Sequence, residues 1–142
     1  MKYLLDTDHL SIFQRQTGLG YANLSNRMVT RPLSDFAVSI VTFHEQFLGI
    51  YTYINRAHSS DEVVYGYKMM TRLIEDFTLL PLLEFDKAAA DIFDNLQSHR
   101  IRVATMDLRI AALALSKGLI LLTRNSRDFG KVPGLSIEDW TI

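Results

Sequence analysis

Short apolar runs alternate along this sequence with longer segments in which apolar residues recur at helical spacing. Residues 119–122 read Leu-Ile-Leu-Leu, and such an uninterrupted run is typical of a strand buried on both faces of a parallel sheet. Four further strands are predicted over residues 3–5, 37–40, 79–82 and 135–140, and Pro81 favours a sheet edge for the run that contains it. This alternation predicts an α/β fold with a mainly parallel central sheet flanked by helices.

Six helices are predicted between these strands, over residues 8–16, 21–29, 42–54, 61–77, 86–97 and 107–117. In the fourth helix, apolar side chains recur at steps of three and four from Val63 to Phe77, which is the spacing of one helix face. Asp86 is the expected N-cap of the fifth helix, and Gly118 is expected to end the sixth. Gly18 and Gly20 indicate a loop after the first helix.

Length and composition limit the classes to which the chain can belong. Its 142 residues suit one domain, residues 1–142, and the absence of cysteine excludes disulfides and thiolate-bound metal centres. An apolar run of only three residues precedes Asp6, too short for a signal-peptide core, and no stretch approaches the ~18 apolar residues of a membrane span. We therefore expect a soluble, cytoplasmic protein without a membrane partner. The formal net charge of −1 gives no support for a nucleic-acid partner.

Four acidic residues lie near predicted strand ends or helix starts, where parallel sheets bind their ligands. Asp6 follows the first predicted strand, and Asp128 lies a few residues beyond the strand over 119–122. Glu45 and Asp107 lie near the starts of the helices predicted over 42–54 and 107–117. Ligands of open parallel sheets bind outside the carboxyl ends of the strands, so we expect these four side chains to converge on one crevice.

Two of these acids also have ordinary explanations as helix caps. Asp6 has the position of a cap for the helix that follows it. Glu45 completes a capping-box pattern with Thr42, in which the glutamate reaches back to a free backbone N–H group. For Glu45 taken alone, capping explains the sequence at least as well as catalysis does.

The other two acids have structural explanations as well. Asp107 follows Thr105, a candidate N-cap, and an acid in the first turn of a helix interacts favourably with the helix dipole. Asp128 ends the segment Asn-Ser-Arg-Asp, which has the composition of a turn. None of the four acids establishes a catalytic site by itself.

Convergence of the four acids would require a cation. Two carboxylates ~4 Å apart repel by ~1 kcal/mol in water and by ~4 kcal/mol at an effective dielectric constant of 20. Oxygen ligands select hard ions, so Mg²⁺ is expected, with Mn²⁺ as a substitute, rather than zinc. Such an ion activates water and binds phosphate oxygens, which is the chemistry of phosphodiester hydrolysis.

Four segments that contain these acids resemble, in order, the motifs of PIN-domain nucleases, above all the VapC-like toxins of bacterial toxin–antitoxin pairs. They are residues 4–11 (Leu-Leu-Asp-Thr-Asp-His-Leu-Ser), 39–49, 105–112 and 122–129. The closing segment from Val132 to Trp140 is also similar to the tail of that family. The resemblance covers nearly the whole chain, with the apolar flanks of each motif in place.

The resemblance implies a fold, an activity and partners. The implied fold is a PIN-like domain with the strand order 3-2-1-4-5 and an acidic pocket at the strand ends. The implied activity is Mg²⁺-dependent endoribonuclease activity on an RNA substrate. The implied partners are a small cognate antitoxin that blocks the pocket and a second copy of the chain in a homodimer.

The resemblance and the spacing together suggest a role for each site residue. We expect Asp6 and Asp107 to bind the ion directly and Glu45 and Asp128 to act through water or a second ion. All four are thus candidate catalytic and metal-binding residues. Three uncharged residues are candidates for holding a substrate phosphate oxygen or the acidic side chains; they are Thr7, Thr123 and Asn125. Thr7 is expected to hydrogen-bond the Asp6 carboxylate.

Two parts of the chain depart from the resemblance. Asp8 stands where many relatives carry asparagine, and its charge either strengthens the negative field or caps the first helix. The polar and aromatic segment 55–67 has no clear counterpart, which leaves the antitoxin-binding surface and the substrate selectivity open. The tyrosines on either side of it are candidates for base stacking, for an interface or for ordinary packing; they are Tyr51, Tyr53, Tyr65 and Tyr67.

The remaining polar residues allow more than one interpretation. Basic residues flank the acids and either contact RNA phosphates or make helix faces soluble; they are Arg100, Arg102, Arg109, Arg124, Arg127 and Lys131. His9 and His44 each stand near an acid, but structural or surface roles are favoured for them. No two histidines have the i, i+4 spacing of a helix-borne zinc site.

Two other functions compete with RNA hydrolysis. A PIN-like module could bind RNA or protein without catalysis, although the presence of all four acids argues against this. A phosphatase of the haloacid dehalogenase type would use Asp6 as a covalent nucleophile. That class expects threonine or valine at position 10, where this chain has leucine, and a downstream lysine motif that the sequence does not show.

Overall fold

A five-stranded parallel sheet forms the centre of the computed structural model, which describes all 142 residues. The strands are β1 (Tyr3–Leu5), β2 (Phe36–Ser39), β3 (Leu82–Leu83), β4 (Ile120–Leu122) and β5 (Ile137–Glu138). Their order is β3-β2-β1-β4-β5, and every neighbouring pair is parallel. In the register, Leu4 of β1 pairs with Ala37 of β2 and with Leu121 of β4. The predicted α/β class and strand order are confirmed.

Seven α-helices surround the sheet, and six of them lie close to the predicted bounds. They are α1 (Thr7–Arg15), α2 (Gly18–Met28), α3 (Ile40–Asn55), α4 (Ser60–Asp76), α5 (Lys87–Ser98), α6 (Thr105–Lys117) and the unpredicted single turn α7 (Ser126–Phe129). A 3₁₀ turn over Leu33–Asp35 precedes β2. None of these helices is both long and apolar enough to cross a bilayer.

The connection between α1 and α2 is shorter than predicted. Gln16 ends α1 in the left-handed conformation with φ of 56°, and α2 already begins at Gly18, whose φ is 90°. Gly18 and Gly20 are therefore part of the first turn of α2 rather than a loop, and that prediction is wrong. A positive φ at the start of the helix explains the glycine at position 18.

A side-chain cap marks the end of β2, and Pro81 immediately precedes β3. The strand predicted over 37–40 ends at Ser39, because the Ser39 hydroxyl accepts the Thr42 backbone N–H at 3.0 Å and α3 begins at Ile40. Pro81 lies just before the short edge strand β3, and its carbonyl accepts the Val38 N–H at 2.9 Å. The edge position predicted from the proline is confirmed.

The sheet is buried on both faces. Successive strand residues point to opposite sides, so Leu4 and Leu121 belong to the apolar cluster under α6, whereas Leu5 and Leu122 belong to the cluster under α1 and α2. All four of these leucines have no solvent-exposed surface. This packing fixes β1 between β2 and β4, and it fixes the position at which the chain leaves β1 at Asp6.

Candidate functional site

Asp6 directly follows β1 and is buried, and one of its two carboxylate oxygens has no hydrogen-bond partner. Its backbone N–H donates to Leu122 O at 2.9 Å, which extends the β1–β4 pairing by one step. The Thr123 hydroxyl donates to Asp6 Oδ2 at 2.8 Å, whereas Asp6 Oδ1 is buried without a hydrogen-bond partner. Asp6 is in the N-cap position of α1, but its side chain makes no capping hydrogen bond. The structure therefore gives this acid no role as a helix cap.

Glu45 lies in the second turn of α3 and is held by Thr7. The Thr7 hydroxyl is 2.9 Å from Glu45 Oε1 and 3.2 Å from the Thr42 hydroxyl, so the Thr7 side chain contacts Glu45, whereas its backbone N–H acts on Asp6. The capping box is wrong, because Ser39 rather than Thr42 caps α3. Ser39 and Thr42 are buried and lie 3.3 Å apart through their hydroxyls. Sequence reasoning missed this pair, which contacts Thr7 through the Thr42 hydroxyl; the available signal was two hydroxyl residues at the end of an apolar strand and the start of a helix.

Asp107 occupies the first turn of α6 and is half-buried. Ala104 is in the N-cap position and makes no side-chain cap, so Thr105 is not the cap that the sequence suggested. The pKa of the Asp107 carboxyl is raised to about 6, first by burial and then by the negative charges of Glu45, Asp128 and Asp8. Three acids from three other parts of the chain therefore act electrostatically on Asp107.

The pKa of Asp6 is likewise raised to about 7, first by burial and then by the negative charge of Asp8. The Thr123 hydrogen bond opposes this shift because it stabilises the ionised form. Asp107 contributes a smaller repulsion to Asp6. Asp6 and Asp107 thus share one electrostatic environment at the carboxyl edge of the sheet.

Asp128 forms local hydrogen bonds in the turn α7 and also acts electrostatically on Asp107. Asn125 caps α7, and its amide Nδ2 donates to Asp128 Oδ2 at 3.1 Å while its Oδ1 accepts the Asp128 N–H at 3.3 Å. The hydrogen bond from the Asn125 amide to the Asp128 carboxylate is the main reason that the pKa of Asp128 lies below its usual range. Lys131 Nζ stands 3.5 Å from Asp128 Oδ1. The turn chemistry considered for Asp128 is present, and its charge still acts on Asp107.

The three uncharged candidates all contact acids. Thr7 holds Glu45, Thr123 holds Asp6, and Asn125 holds Asp128. Of the two roles considered for them, support of the acidic side chains is the one visible in the contacts. His9 is buried and His44 is exposed on α3.

The donor set fits a hard divalent cation with an incomplete protein shell. No group of three acidic or histidine side chains forms a ready metal cage anywhere in the 142 residues. However, the buried, unpaired Oδ1 of Asp6 and the repulsion between Asp6 and Asp107 both destabilise the ionised site, and a bound cation would offset both effects. Mg²⁺ commonly keeps several waters and is bound by only one or two carboxylates, so a complete cage is not needed. Asp6 and Asp107 could hold such an ion.

Comparison with known proteins finds relatives that are named as ribonucleases. No family model matches the chain. The tRNA(fMet)-specific endonuclease VapC of Shigella flexneri is 38% identical over 74 residues, which are 49% of this chain and 56% of that protein. Ribonuclease VapC of Rickettsia bellii is 42% identical over 62 residues, 43% of this chain and 46% of that protein. The chain thus matches about half the length of these two relatives. Ribonuclease VapC2 of Haemophilus influenzae is 27% identical over 99% of this chain and 98% of that protein.

Solved structures show the same fold. The DNA-bound VapBC complex from Salmonella typhimurium matches with a TM-score of 0.76 and 24% identity over 99% of this chain and 98% of that chain. The FitAcB complex from Neisseria gonorrhoeae matches with a TM-score of 0.74 and 23% identity over 96% of each chain. The resemblance in sequence and the predicted fold are both confirmed.

Proposed function

We propose that this chain, which is VapC-like in its sequence and in its fold, is a Mg²⁺-dependent endoribonuclease and the toxin of a toxin–antitoxin pair. The observation that carries the proposal is the buried, unpaired Oδ1 of Asp6, together with the neighbouring negative charges that raise the pKa of Asp6 and of Asp107. The named ribonuclease activity of the VapC relatives supports the substrate class.

Each acid has a role in this proposal. Asp6 and Asp107 hold the ion directly, because they are the acids with raised pKa values and therefore gain most from a nearby positive charge. Glu45 and Asp128 act through water or a second ion, and one of them orients the attacking water. A bound Mg²⁺ ion supplies Lewis-acid stabilisation of the phosphate and lowers the pKa of water. The chain itself fixes the acids through Thr123, Thr7 and Asn125.

Purified protein incubated with RNA provides the test of this proposal. We expect cleavage of RNA, including initiator transfer RNA as one substrate, when Mg²⁺ or Mn²⁺ is added and no cleavage after chelation. RNA binding without cleavage under any metal condition would favour a PIN-like binding module instead. Hydrolysis of a small phosphomonoester without RNA cleavage would favour the haloacid dehalogenase alternative.

Basic residues beside Asp128 are proposed to contact the RNA backbone. The Arg127 side chain is 88% exposed and lies next to the acidic site, while Lys87 on α5 is 86% exposed and pairs with Asp91. Arg127→Ala should weaken RNA binding and lower the slope of log affinity against log salt by about one, since each phosphate contact releases one counterion. Lys87→Ala is the matched control. Equal salt slopes for Arg127→Ala, Lys87→Ala and the parent protein would contradict this contact.

The partners belong to the same proposal. Solved neighbours include a toxin–antitoxin complex from Klebsiella pneumoniae and VapBC-5 of Mycobacterium tuberculosis, a member of the VapBC family of toxin–antitoxin systems, which supports a small cognate antitoxin that blocks the acidic pocket. Exposed aromatic side chains on α3 and α4 provide a surface for that antitoxin or for a second copy of the chain; they include Tyr51, Tyr65 and Tyr67. A cytoplasmic location follows from the proposed RNA substrate. Copurification of the chain with the product of the adjacent gene would test the antitoxin directly.

A further inference from the structure

Asp8 is the acid that the proposed reaction leaves without a role. Its Oδ1 lies 2.8 Å from His9 Nδ1, and its Oδ2 accepts the Arg124 backbone N–H at 2.9 Å. The Thr123 hydroxyl lies 3.3 Å from the same Oδ2, but its single hydrogen points to Asp6, which is closer at 2.8 Å. Both oxygens of Asp8 are therefore already engaged, each with a different part of the chain.

His9 connects Asp8 to the C-terminal tail. The imidazole is fully buried, and its Nε2 lies 3.1 Å from the backbone N–H of Trp140. A backbone N–H can only donate, so Nε2 must be the acceptor and Nδ1 must carry the proton that is donated to Asp8. The Asp139 carboxylate stands farther away, at 3.6 Å from Nε2, and accepts hydrogen bonds from Thr141. The order of donors and acceptors along this connection is thus determined.

We propose that Asp8 is a positioning residue with two separate functions. Its Oδ2 fixes the segment 123–125, which carries the Thr123 hydroxyl that holds Asp6, and its Oδ1 anchors the C-terminal tail through His9. Only a carboxylate provides both acceptors, because an asparagine at this position has a single acceptor oxygen. This accounts for the acid at position 8 better than a general negative field does. The part of the inference that concerns catalysis rests on the proposed function.

Trp140 is a built-in reporter for the tail. It is the only tryptophan in the chain and is buried, with its ring centroid 4.7 Å from that of Tyr3 and 5.8 Å from that of Phe36. Release of its backbone N–H from His9 would loosen this packing and admit water and quenchers to the ring. Its fluorescence can be measured without RNA or metal, so it does not depend on any nuclease activity.

The principal test replaces Asp8 by alanine and uses Asp91→Ala as the control. Asp91 is an exposed acid on α5 that pairs only with Lys87. For Asp8→Ala we expect red-shifted Trp140 emission, a larger acrylamide quenching constant and faster hydrogen exchange of the Arg124 amide. We also expect kcat for RNA cleavage to fall about tenfold or more with little change in KM, because the segment that positions Asp6 is loosened. Asp91→Ala should match the parent protein in all four measurements.

A second variant separates the two ends of the connection. In His9→Asn, the amide nitrogen takes the place of Nδ1 and can still donate to Asp8, but no atom reaches the Trp140 N–H. We expect increased quenching of Trp140 with a parent-like kcat. This variant also decides the tail function if Asp8→Ala does not fold, as judged by circular dichroism.

Specific outcomes overturn the inference. Parent-like Trp140 quenching in both Asp8→Ala and His9→Asn would show that the tail is not anchored in this way and would remove the first function. Parent-like exchange of the Arg124 amide in Asp8→Ala would remove the second function. If the parent protein does not cleave RNA, the proposed function fails, whereas the fluorescence and exchange measurements still decide the role of Asp8.

Discussion

Asp6→Asn is expected to abolish RNA cleavage and to leave the fold intact. The variant keeps an oxygen that can accept the Thr123 hydrogen bond, but it removes the negative charge that an ion would balance. Loss of several kcal/mol of transition-state stabilisation from the metal corresponds to a fall in kcat on the order of 100-fold or more. The measurement is the rate of cleavage of labelled RNA at saturating Mg²⁺, with circular dichroism as the test of folding.

The matched control for this prediction is Asp91→Asn, which removes an exposed acid remote from the site. Its rate should equal that of the parent protein. A folded Asp6→Asn variant that cleaves RNA at the parent rate would refute the role assigned to Asp6. Loss of activity in both variants would instead point to a general effect of acidic charge.

The same substitution is expected to stabilise the metal-free protein at alkaline pH. The pKa of Asp6 is about 7 in the folded protein against an ordinary value of 3.8, so between these values the folded state binds more protons than the unfolded state. The free energy of unfolding therefore falls as pH rises from 3.8 to 7, by roughly 4 kcal/mol at most for this residue. Asp107, with a pKa of about 6, acts in the same direction.

The groups with lowered pKa values do not disturb this window. Asp86, Asp128 and Asp139 stabilise the fold above their ordinary pKa of 3.8, and that contribution is lost only below it. Chemical denaturation of the metal-free protein should thus show greater stability at pH 5 than at pH 8. Asp6→Asn should be more stable than the parent at pH 8 by roughly 4 kcal/mol, and its advantage should fall to less than half of that at pH 5, which is nearer the ordinary pKa of 3.8. A parent protein that is more stable at pH 8, or an Asp6→Asn variant that is destabilised there, would contradict the buried acid.

The alternation of apolar runs and helical segments was sufficient to predict the sheet and its flanking helices. It could not predict the end of β2, because Ser39 and Ile40 are separated by a side-chain cap rather than by a change in polarity. It also misplaced the start of α2, since a glycine that begins a helix with a positive φ cannot be distinguished in sequence from a glycine in a loop. Local hydrogen bonds determine such boundaries.

The four acids could be found from the sequence because strand ends and helix starts are visible in it. Which acid each threonine holds could not be predicted, because these two contacts, unlike the one between Asn125 and Asp128, join residues far apart along the chain. Thr7 reaches Glu45 across 38 residues, and Thr123 reaches Asp6 across 117. The same holds for the connection from Asp8 through His9 to Trp140. Only the folded register of β1 beside β2 and β4 brings these side chains together.

Binding of Mn²⁺ to the metal-free protein, followed by electron paramagnetic resonance, tests the acidic site most directly. The parent protein and Asp91→Asn should bind Mn²⁺ and release it when Mg²⁺ is added, whereas Asp6→Asn and Asp107→Asn should bind it much more weakly. Equal binding of Mn²⁺ by the parent protein and by Asp6→Asn, or no binding by either, would contradict a metal site formed by Asp6 and Asp107.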